Sequence, residues 1–120
     1  RGEVNRKNGP KQLAIFRREF ERLVKRWGCE DWRYYFDLAT LAESKAQVSR
    51  NLTGRACTVT LGVDWPCDNS PDELRKTARH EAAHMVTAEL SCLAGARWVT
   101  KDEVDHADEL TVRRLERILR

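Results

Sequence analysis

Charge of a single sign is missing from this sequence: 22 Lys and Arg stand against 19 Asp and Glu in 120 residues, a formal net charge of +3. That balance does not suit a dedicated nucleic-acid binder. No stretch approaches the roughly 18 consecutive apolar residues of a membrane span, and the first residues lack the apolar core of a secretory signal. These absences lead us to expect a cytoplasmic protein with no membrane partner, although an opening residue of Arg1 in place of Met leaves targeting open. No internal repeat or low-complexity segment is visible. The four cysteines, Cys29, Cys57, Cys67 and Cys92, contain no CxxC pair, so they do not form a zinc knuckle by themselves. Cys57 falls on the apolar face of a strand pattern and Cys92 late in a helix pattern, as reduced core thiols do.

What is present is enough for one core. With 41% of its residues hydrophobic, the chain reads as a basic arm at residues 1–9 followed by a single domain at 10–120. The arm carries Arg1, Arg6 and Lys7 against Glu3 and is interrupted by Asn8-Gly9-Pro10, so a solvated tether is expected, with nucleic acid as its candidate partner. Leu13, Phe16, Phe20, Leu23, Val24 and Trp27 recur at threes and fours, which predicts an amphipathic helix over 11–27 stopped by Gly28. The period then changes to two. Trp32, Tyr34, Phe36 and Leu38 mark one half-buried strand, and Cys57, Val59, Leu61, Val63 and Trp65 another. A short third strand at Gln47-Val48-Ser49 turns through Asn51-Leu52-Thr53-Gly54 into the strand that begins near Arg55.

Ser70-Pro71-Asp72-Glu73 is a helix start with a serine cap, proline at the first position and a capping-box glutamate. The helix it opens is expected to run to about Ala94 and to stop at Gly95. It carries His80-Glu81-Ala82-Ala83-His84, an HExxH motif. Positions i and i+4 share a helix face, so the two imidazoles can reach one zinc ion, while Glu81, about 100° round the helix, is placed to act as a base on water. That is the chemistry of peptide-bond hydrolysis. Glu89, opposite His80 on the wheel, has no role on sequence alone. A last helix over 101–119, capped by Thr100 and Glu103, turns Val104, Ala107, Thr111, Val112, Leu115, Ile118 and Leu119 toward the core. A catalytic zinc takes three protein ligands. Glu103, Asp105, His106, Asp108 and Glu109 of this helix are the candidates for the third, and spacing does not choose among them.

The order of helix, short sheet, HExxH helix and acid-started helix resembles a minimal zincin-type metallopeptidase of the glutamate-zincin kind found in phages and mobile elements, and in outline the SprT-like and ImmA/IrrE-like groups. The resemblance covers residues 11 to 119 in layout. It is specific at His80-Glu81-x-x-His84 and more weakly at Glu109-Leu110-Thr111-Val112-Arg113-Arg114-Leu115-Glu116. It implies an α+β, zincin-like fold: an N-terminal helix on a small, mostly antiparallel sheet, then the HExxH helix and a C-terminal helix. It also implies Zn²⁺ on His80, His84 and Glu109, with Glu81 as general base and a peptide or protein substrate laid along the strand from Cys57 to Asp64. The helical wheel puts Asp108 and Asp105 nearer the apolar stripe than Glu103, with His106 nearly opposite. Tyr34 and Tyr35 are candidate oxyanion donors, and Trp27, Trp32, Trp65 and Trp98 read as core residues.

Two other functions fit the same residues. Cys67, His80 and His84 have the spacing of the second half of a zinc finger, although the first half is missing. A degenerate zincin could also keep the fold and serve as a binding or regulatory module.

Overall fold

The structure is a computed structural model that describes residues 7–42, 44–65 and 68–119. It is an α+β arrangement of an N-terminal helix, a three-stranded sheet and the helices that follow it. The first helix, α1, spans Pro10–Arg26. Its start is closed by the Gly9 N–H donating to Gln12 Oε1 at 2.9 Å, and its end by Gly28 at φ 76°, a left-handed conformation that glycine adopts without steric cost. Phe16, Phe20, Leu23 and Val24 are buried on one stripe, which packs chiefly on the HExxH helix and also on the sheet.

The strands are β1 (Arg33–Ala39), β2 (Ala46–Asn51) and β3 (Ala56–Gly62), in spatial order β1-β3-β2. β3 runs parallel to β1 and antiparallel to β2, so the sheet is mixed and not mostly antiparallel. Period-two alternation is the same for either direction of pairing, and for that reason it could not distinguish the two arrangements. The β2–β3 hairpin is as expected: the Arg55 N–H donates to the Leu52 carbonyl at 3.2 Å, with Arg55 at φ 48°.

At the other end of the hairpin, the Gly62 N–H donates to the Lys45 carbonyl at 2.7 Å, and a Cβ on Gly62 would lie 2.9 Å from that oxygen. The same region anchors part of the expected arm. Lys7 bridges to Asp64, and Asn8 is buried, donating from Nδ2 to the Gly62 carbonyl at 2.8 Å. Residues 7 and 8 are therefore held against the end of β3 and the segment after it, while 1–6 lie outside the described residues.

The remaining elements are α2 (Pro71–Ala83), α3 (Ala88–Ala94) and α4 (Lys101–Ile118). Both serine and threonine caps are formed, with Ser70 Oγ accepting from the Glu73 N–H at 3.4 Å and Thr100 Oγ1 from the Glu103 N–H at 3.1 Å; the reciprocal half of the capping box forms at Glu103, whereas the Ser70 N–H donates to Asp68 Oδ1 at 3.1 Å and not to Glu73. The expected single helix to Ala94 is instead broken at His84. Residues 84–86 close i→i+3 bonds, from His84 N–H to Glu81, Met85 to Ala82 and Val86 to Ala83, and a new helix then begins at Ala88.

The last helix also differs from expectation. α4 packs on α3 through Ala107, Thr111 and Arg114, while Val112, Leu115 and Leu119 are 42%, 43% and 81% exposed. Its buried edge is rotated away from its aliphatic stripe, because Arg114 has buried partners to meet. Trp32 and Trp65 are core residues and Trp27 packs against the core, but Trp98 is exposed. Cys29, Cys57 and Cys92 are free thiols, and burial pushes the first two up to about 11. No helix among the described residues is long and apolar enough to cross a membrane.

Candidate metal centre

Leu74, Ala78, Glu81 and Ala82 are the buried stripe of α2. This orientation turns His80 and His84 outward: both are exposed, with ring centroids 5.1 Å apart and planes at 87°. Glu81 is 6% exposed, with its Oε2 3.9 Å from His80 Nε2. One donor atom from each of His80, Glu81 and His84 falls within 4.8 Å of the other two, which fits a divalent cation held from one side. Burial raises the Glu81 carboxyl above its ordinary range, against a smaller opposing pull from His80. His84 is lowered by burial first, then by His80 and Arg50, which favours the neutral ring that a metal needs.

The end of α2 is fixed by two arginines. Carbonyls at a helix end lose their i+4 partners, and here they find guanidinium donors. Arg50 of β2 donates to the His84 carbonyl at 3.0 Å and to Ser91 Oγ at 3.2 Å. Arg114 of α4, 2% exposed, donates from Nη1 to the carbonyls of Met85 and Val86 at 3.2 and 3.3 Å. It also forms a forked pair with Glu89, which further accepts from Trp32 Nε1 at 2.8 Å and from Arg55 at 2.6 Å. Glu89, without a role on sequence, is the anion at the centre of this network. Burial alone would raise its carboxyl, but the Arg114 and Trp32 hydrogen bonds prevail and hold it at about 2.

Glu109 is not brought to His80 and His84. It lies on the exposed side of α4, 3.5 Å from Arg113, and does not belong to the metal-binding group found among the described residues. α4 meets α3 and its acidic first half is spent elsewhere: Asp105 pairs with Lys101 at 2.6 Å, Glu103 caps the helix, and His106 and Asp108 are exposed. Cys67, the thiol of the finger reading, lies outside the described residues.

The proposed substrate strand needs correction too. β3 is paired on both sides and has no free edge, whereas β2 is an edge strand in contact with α2. Tyr34 lies in β1, at the far edge, with its hydroxyl committed to the Cys29 carbonyl at 2.6 Å. Its neighbour Tyr35 is exposed on that same remote strand.

A cleft of about 310 Å³ opens between α2 and the start of β2, with His80 and Glu81 in its wall. Of its other charged lining residues, Glu73 was legible only as a helix-start glutamate, and Lys45, before a strand, and Lys76, in the second turn of α2, carried no sequence signal. Arg114 did carry one, since it continues the i, i+4, i+7 spacing of Ala107 and Thr111. Comparison with protein families, curated proteins and solved structures finds no match to this chain.

Proposed function

We propose that this protein is a zinc-dependent metallopeptidase. The observation that carries the reading is the convergence of His80, Glu81 and His84 at one end of α2, with His80 and Glu81 in the wall of a cleft. Zinc bound there supplies a Lewis acid that polarises a peptide carbonyl and makes water more acidic, toward a pKa of roughly 7. Glu81, which is buried and forms no ion pair with a Lys or Arg among the described residues, accepts the proton of the attacking water and delivers it to the departing amine. The edge of β2, unpaired among the described residues, suits an extended peptide, because β2 is the edge strand in contact with α2. Buried, unreactive thiols are compatible with a reducing compartment such as the cytoplasm.

Zinc reconstitution tests the reading directly. Metal analysis after dialysis should find one zinc per chain, and cleavage of an unfolded protein should stop with a chelator and resume with added zinc. His80→Ala and His84→Ala should each lose the metal while keeping the circular-dichroism spectrum of the wild type, because both rings lie outside the core. Zinc that survives both substitutions would sink the proposal. Zinc that is lost with Cys67→Ala, together with fold, would support a structural site; an intact fold that takes no zinc would support a binding module.

A further inference from the structure

The cleft beside His80 and Glu81 has a feature that the hydrolytic reading does not use. Lys45 and Lys76 both line it, from β2's approach and from α2, and neither has an ion-pair partner within 4 Å among the described residues. Lys45 is held in place. Its carbonyl accepts from Gly62 N–H at 2.7 Å and from Trp65 Nε1 at 3.1 Å, and its ammonium lies 5.4 Å from the centre of the Trp65 ring, itself 5% exposed. Lys76 stands one turn before His80 on the same face of α2, so the two cations and the imidazole border one space. Among the described lining residues Glu73 and Glu81 balance the two ammonium charges, and a divalent cation on the histidines would leave that lining net positive.

We infer that Lys45 and Lys76 form a subsite for a substrate carboxylate, so that the peptide cut or held here carries an acidic group on the Lys45 side of the reacting bond. The inference deepens the metallopeptidase reading and names the substrate class. An ammonium fixed beforehand over Trp65 loses less freedom on pairing than a free lysine, and the half-enclosed cleft screens the pair less than open solvent does.

The test reads binding and not turnover, so it separates from the hydrolytic reading. Zinc-loaded Glu81→Gln protein is titrated, by fluorescence anisotropy, with short labelled peptides that are acetylated and amidated and differ only by Glu, Ala or Lys walked along the sequence. At one register Glu should bind about fivefold tighter than Ala, and Lys more weakly than Ala, with the preference falling as salt rises. An all-Ala peptide with a free C-terminal carboxylate distinguishes a terminal from a side-chain source: either one binding tighter than the amidated Ala peptide supports the subsite. Lys45→Gln with Lys76→Gln should abolish the preference, and Lys45→Glu with Lys76→Glu should reverse it toward Lys. Both double variants change exposed or half-exposed side chains, and their melting curves check the fold. Equal binding of Glu, Ala and free-carboxylate peptides would overturn the inference, as would a Glu preference that persists in the double variants. Failure of the hydrolytic reading shows separately, as wild-type protein that takes no zinc or leaves peptides uncut.

Discussion

Glu81→Gln should lower peptide cleavage by about 10² to 10⁴-fold while leaving zinc stoichiometry and secondary structure unchanged. The substitution keeps the shape of the side chain and removes its ability to take up a proton at neutral pH. Burial raises the Glu81 carboxyl, so its ionised form is disfavoured in the folded chain, and a neutral amide at the same place relieves that cost. The variant should therefore melt at or above the temperature of the wild type at pH 7, which separates loss of the base from loss of fold. The same pair of measurements distinguishes two uses of the carboxylate. A base acts on water and its removal spares metal affinity; a third ligand, which the spacing of donor atoms in this group also allows, would take zinc affinity down with it. A variant that retains full cleavage would remove Glu81 from the chemistry.

Caps and periodicities are local signals, and each element's type and most of its bounds follow from them. Gly28 ends α1, Ser70 opens α2 and Thr100 opens α4 where their side chains and conformations say they should. The histidine pair was legible for the same reason, since i and i+4 on a helix need no tertiary information. What failed was set at a distance. No glycine or proline stands between His80 and Ala94 to announce the break at His84; it is accompanied by Arg50 from β2 and Arg114 from α4, which capture the freed carbonyls. The rotation of α4 has the same origin. Leu115 and Val112 predicted its buried face, but Arg114 has Glu89 and two carbonyls to satisfy, and the helix turns to bury the arginine. Once α4 is seated through Arg114, Glu109 faces solvent. Strand order is likewise non-local: β3 inserts between β1 and β2, which leaves β2 and not β3 with a free edge.

Arg114→Met should destabilise the fold by about 3–5 kcal/mol, the cost of leaving one member of a buried ion pair without its partner. Glu89 is 3% exposed and would keep only Trp32 and Arg55 among its present donors, while the carbonyls of Met85 and Val86 would lose their guanidinium. Denaturant melts of Arg114→Met, Glu89→Gln and the double variant should give a double cycle with strong coupling, the double variant losing less than the sum of the singles. Additive losses would show that the pair is not a unit. The pH dependence follows from the same network. The Glu89 carboxyl is held down at about 2 when folded, against an ordinary 4.5, so its contribution is fully present above about pH 4.5 and is lost as pH falls toward 2. Without Arg114 the folded value rises, and the wild-type advantage over Arg114→Met should shrink between pH 5 and pH 2. Arg114→Lys separates charge from geometry: an ammonium can still pair with Glu89 but cannot reproduce a planar fork that spans the carboxylate and two carbonyls at once. That variant should recover much of the stability and less of the zinc affinity, because the carbonyls it fails to hold belong to the turn immediately after His84.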